Sequence, residues 1–71
     1  MTDFTEQGTI KRREYNARIM AKVAKHIPAI GTTPETLEYQ TGLTPDAVKL
    51  ALNLLHTQDQ ALFNSGKWFK A

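Results

Sequence analysis

Two threonine-proline-acid triplets, Thr33-Pro34-Glu35 and Thr44-Pro45-Asp46, follow each other closely, with Gly42 between them. Each reads as a helix start. The threonine hydroxyl can accept a backbone N–H, proline suits the first helical position, and the carboxylate complements the positive end of the helix dipole. Gly42 supplies the left-handed conformation that ends the first of these helices. The connection is then so short that the two helices must share a face. Leu37 and Leu43 supply one side of it, and Val48, Ala51, Leu52 and Leu55 the other. That is a helix-turn-helix, with its second helix expected to finish near Gln58 to Gln60.

Upstream, Ile19, Met20, Val23, Ala24 and Ile27 fall on one helical arc, with Ala17 at its edge, so a first helix is expected over about Ile10 to Ile27. Lys11, Arg18, Lys22 and Lys25 cluster on the opposite side, within about 60° of one another. Pro28 stops this helix and the Ile30-Gly31 step turns the chain. Residues 1–9 are polar and aperiodic and are expected to form a flexible tail, leaving 10–71 as the folded domain. Downstream, Ala61-Leu62-Phe63 and Lys67-Trp68-Phe69 flank Asn64-Ser65-Gly66 and read as a β-hairpin. With a two-residue loop, Phe63 pairs with Trp68. With three residues and a glycine bulge, Leu62 does. The expected class is mainly α with a small β-hairpin: a three-helix core with a C-terminal wing.

Seventy-one residues make one domain, and so small a core is marginal. Cysteine is absent, so no disulfide or cysteine-based metal site braces it. Apolar runs such as Ala61–Phe63 are short, so neither a membrane span nor a secretory leader is expected, and the chain reads as cytoplasmic. His26 and His56 fall on different helices without clustered carboxylates, so no metal is expected. Ser65 lies in a turn without an acid-base pair, and the four glycines are isolated. No catalytic residue, cofactor or enzymatic activity is therefore expected. The net charge of +2 is unevenly spread: +3 over residues 1–30, −3 over 31–60 and +2 over 61–71.

The stretch TPETLEYQTGLTPDAVKLALNLL, followed by ALFNSGKWF, resembles the winged helix-turn-helix superfamily, as in many small bacterial and phage regulators. The resemblance is one of pattern and runs from about Ile10 to Phe69. It implies a double-stranded DNA-binding regulator of transcription or a related DNA transaction. The second helix of the unit would enter the major groove and the hairpin would touch the backbone. By position, the groove-facing candidates are Thr44, Pro45, Asp46, Lys49, Leu50 and Asn53, with Asn64, Ser65, Gly66 and Lys67 at the wing tip. Asn53 suits adenine, and Lys49 guanine or phosphate. Lys67 and the Lys11-Arg12-Arg13 cluster would hold phosphates.

The acidic middle and an apolar flank point to an alternative. Ala47, Leu50 and Leu54 form a second stripe beside the core stripe, and the hairpin carries apolar groups on both faces. Leu50, Leu54, Phe63 and Phe69 are accordingly candidates for a protein interface, with a homodimer partner or a larger protein that the domain inhibits or recruits. Trp68 is expected to anchor the core.

Overall fold

The computed structural model describes the backbone of residues 4–71 and the side chains of residues 11–71. Three helices, α1 (Phe4–His26), α2 (Pro34–Thr41) and α3 (Pro45–Thr57), precede an antiparallel hairpin of β1 (Ala61–Asn64) and β2 (Lys67–Lys70). This is the expected three-helix core with a C-terminal wing. The first helix begins six residues before the expected Ile10. No proline interrupts that segment, and its lone Gly8 costs only about 1 kcal/mol relative to alanine, too little to stop a helix. Of the expected flexible tail, residues 1–3 lie outside the described residues, as do the side chains of residues 4–10.

The helix starts work as their sequence requires. Thr33 and Thr44 are extended N-caps whose hydroxyls accept from Thr36 N at 3.4 Å and Ala47 N at 3.2 Å. Gly42, at φ 71°, donates its N–H to Glu38 O at 2.9 Å and closes α2. Thr41 stitches the turn that follows: its hydroxyl donates to Leu37 O at 2.6 Å and accepts from Leu43 N at 3.2 Å. The end of α3 is a Schellman motif. Asp59 N donates to His56 O and Gln60 N to Leu55 O, with Asp59 itself at φ 59°.

The core gathers Ile19, Val23 and Ile27 of α1, Leu37 of α2, and Val48, Ala51, Leu52 and Leu55 of α3. Ala61 of β1 closes it, and Met20, Ala24, Leu43 and Trp68 pack against its rim. In α2 only Leu37 is buried, while Tyr39 lies almost wholly in solvent.

The hairpin takes the two-residue loop. Phe63 pairs with Trp68 and Asn64 with Lys67. Ser65 (φ 52°) and Gly66 (φ 80°) both hold positive φ, as the twist of a type I′ turn demands. The wing has a third partner that the sequence did not announce. Thr32 and Trp68 exchange two backbone hydrogen bonds, both 2.8 Å, in an isolated antiparallel bridge. The connection between α1 and α2 thus extends the hairpin by one residue's width. Gly31 makes this approach possible. It sits at φ 98°, and a Cβ there would lie 2.6 Å from Cε2 of Phe69.

Candidate nucleic-acid interface

The residues of α3 divide by helical angle. Ala47, Val48, Ala51, Leu52 and Leu55 are buried, while Asp46, Lys49, Leu50 and Asn53 are exposed. Lys49 and Asn53, one turn apart, share the outward side. Thr44 is also exposed, but its hydroxyl is committed to the N-cap. Asp46 occupies the first turn, where its charge suits the helix dipole without any ligand.

Lys49 and Asn53 stand at the mouth of a cleft of about 340 Å³. Pro34 and Glu38 of α2 form one wall, Pro45 and Leu52 of α3 contribute to the other, and Trp68 of β2 reaches in from the wing. Three elements therefore meet around the Lys49–Asn53 pair. Trp68 is fixed there by its backbone bridge to Thr32 and by edge-on contact with the His56 ring, at 6.0 Å between centroids. His56 is fixed in turn, its Nδ1 donating to Ala61 O at 3.0 Å, since a carbonyl can only accept. Glu38 and Trp68 belong to this site although neither was among the expected groove residues. Only the docking of α2 and the wing, distant in sequence, brings them to Lys49.

The other expected contacts are placed apart. Lys67 is exposed beside the turn, and residues adjacent on a strand project to opposite faces, so it leaves the hairpin on the side away from Trp68. It marks the wing tip and does not enter the cleft. Lys11, Arg12 and Arg13 are exposed on α1, ahead of Ile19, the first buried residue among the described side chains. Arg13 lines a second groove, of about 490 Å³, together with Ala17, Met20 and Ala24 of α1 and Leu54 and Gln58 of α3. That groove lies against the C-terminal half of α3, whereas Lys49 lies in its N-terminal half.

The four protein-interface candidates also separate. Leu54 is half-buried in the second groove, and Leu50 beside it remains 39% exposed. Phe63 is exposed next to Trp68, with ring centroids 5.0 Å apart. Phe69 is half-buried and covers Gly31, so its role is internal packing. Among the described residues no helix is long and apolar enough to cross a membrane. Nor does any group of three or more His, Asp or Glu converge there.

No protein family, curated protein or solved structure matches the chain.

Proposed function

We propose that this protein is a double-stranded DNA-binding module of the winged helix-turn-helix kind, a small cytoplasmic regulator of transcription or of a related DNA transaction. The observation that carries this reading is the outward side of α3. Lys49 and Asn53 stand there together, free of the core, on a helix held at a fixed angle by the Gly42 turn. An asparagine and a lysine one turn apart can address adjacent base edges in a major groove. The wing, stiffened by its type I′ turn, carries Lys67 at its tip, where a phosphate would be met.

Fluorescence anisotropy of labelled duplexes between about 50 and 200 mM salt tests it. Lys67→Ala is expected to weaken all duplexes alike and to reduce the salt slope by about 0.9, one phosphate's worth. Asn53→Ala is expected to leave that slope and erode discrimination between sequences by about 1–3 kcal/mol. Absence of duplex binding at the lowest salt would refute the reading. One observation favours a protein partner instead: Leu50, 39% exposed, adjoins the groove that Leu54 lines. Loss of a self-association on Leu50→Glu, with duplex binding absent throughout, would establish that second reading.

A further inference from the structure

The cleft face of α3 is poor in the charge that holds DNA. Lys49 is its single cation, with Asp46 one turn away and Glu38 across the cleft. Positive charge is concentrated on α1. Lys11, Arg12, Arg13, Arg18, Lys22 and Lys25 are all exposed, and Glu14 is the one acid among residues 11–26. Lys11, Arg18, Lys22 and Lys25 lie within about 60° of one another, far round the helix from the buried Ile19, Val23 and Ile27. From Lys11 to Lys25 the helix rises about 21 Å. The four cations of this face are spaced on average about 7 Å apart, roughly one to every second phosphate of a single DNA strand at about 3.4 Å each, with Glu14 at the edge of their arc.

The two surfaces face apart. Ile19, Val23 and Ile27 of α1 meet Val48, Ala51, Leu52 and Leu55 of α3 in one core. Lys11, Arg18, Lys22 and Lys25 of α1 and the Lys49–Asn53 pair of α3 each lie on the far side of their helix from that core, whereas Arg13 turns into the groove beside Leu54. Across its short dimensions the molecule measures 24 and 17 Å. Charges so separated are screened from each other in physiological salt, where the Debye length is about 8 Å. A polyanion on one face therefore does not repel one on the other.

We infer that the outer face of α1 is a second phosphate-binding surface, and that the protein joins two duplex segments, one on α3 and the wing and one on α1. The inference rests on the DNA-binding reading of α3. Tyr15, 49% exposed, lies on the same arc, but the face carries no amide that would pair with one base edge, so it takes any duplex.

A bridging assay tests it. Protein is loaded onto a bead-bound duplex, and capture of a second, fluorescent duplex is measured, using wild type and the triple variant Arg18→Gln/Lys22→Gln/Lys25→Gln. Wild type is expected to capture the second duplex. The triple variant is expected to load onto the bead duplex and lose capture at least tenfold. Arg18→Lys/Lys22→Arg/Lys25→Arg, which keeps the charge, is expected to capture normally, separating charge from any effect on folding. Wild type that loads but captures nothing overturns the inference and leaves the α3 reading intact. Equal capture by the triple variant also overturns it, since bridging would then run through another surface, such as a dimer contact. Failure of wild type to load at any salt sinks the α3 reading, and this inference with it. Charge-dependent co-sedimentation with phosphatidylserine vesicles, without capture of duplex, overturns the inference in favour of a membrane surface.

Discussion

Substituting Gly31 by alanine probes the seat of the wing. Two costs add. Any L residue at φ 98° is held in a sparsely populated backbone region, at roughly 1–3 kcal/mol. The new methyl would also stand 2.6, 2.9 and 3.1 Å from three atoms of the Phe69 ring, which must move. Phe69 is half-buried, so displacing it forfeits about 1 kcal/mol of the roughly 1.5–3 that a fully buried phenylalanine contributes. The expected loss is about 2–4 kcal/mol, against a total stability of about 4–10 for a chain of this length. In a domain of this size each kcal/mol lowers Tm by about 4–8 °C. Urea unfolding followed by circular dichroism and by the emission of Trp68, the chain's single tryptophan, measures it. A double-mutant cycle with Phe69→Ala separates the two costs. The backbone part should persist in the Phe69→Ala background, and a coupling of about 1 kcal/mol should vanish with the ring. A Gly31→Ala protein destabilised by less than about 0.5 kcal/mol, or a cycle with no coupling, would refute this account of the wing's seat.

Leu52→Ala, at a fully buried site between α1 and α3, should cost about 2–5 kcal/mol by chemical denaturation; an unchanged midpoint would show that the core lies elsewhere. Asp59→Gly should stabilise by roughly 0.5–1 kcal/mol, because glycine holds the left-handed conformation of the Schellman motif without strain; a lower Tm would contradict that. Ser65→Asn should raise Tm for the same reason at the type I′ turn, with the wing's amide shifts otherwise retained. Leu54→Glu should destabilise the monomer, since Leu54 is half-buried, whereas Leu50→Glu should leave the melting curve within about 0.5 kcal/mol.

Where signals were local, the chain disclosed its fold. Thr33 and Thr44 cap the helices they introduce, and Gly42 ends α2, because each depends on a few neighbouring backbone groups. The length of the hairpin loop was not legible. Both registers pair apolar residues, and the choice lay in whether Ser65 would accept positive φ beside Gly66. Asp59 was likewise hidden, since the left-handed position it fills is usually glycine's. At the candidate site, helical spacing alone put Lys49 and Asn53 together. Glu38 and Trp68 join them only through the packing of α2 and the wing, which no local pattern encodes.

The paired backbone hydrogen bonds between Thr32 and Trp68 bear on how this protein would meet a target. To swing relative to α3, the hairpin would have to break both bonds and draw Ala61, wholly buried, out of the core. Its orientation is therefore settled when the chain folds, and no ordering of the wing is left to oppose association. A rigid template of this kind does not mould itself to its partner. If the target is the duplex proposed above, the duplex must supply whatever bending or groove widening the fit requires, and duplexes would be ranked by how easily they deform as well as by the bases they display.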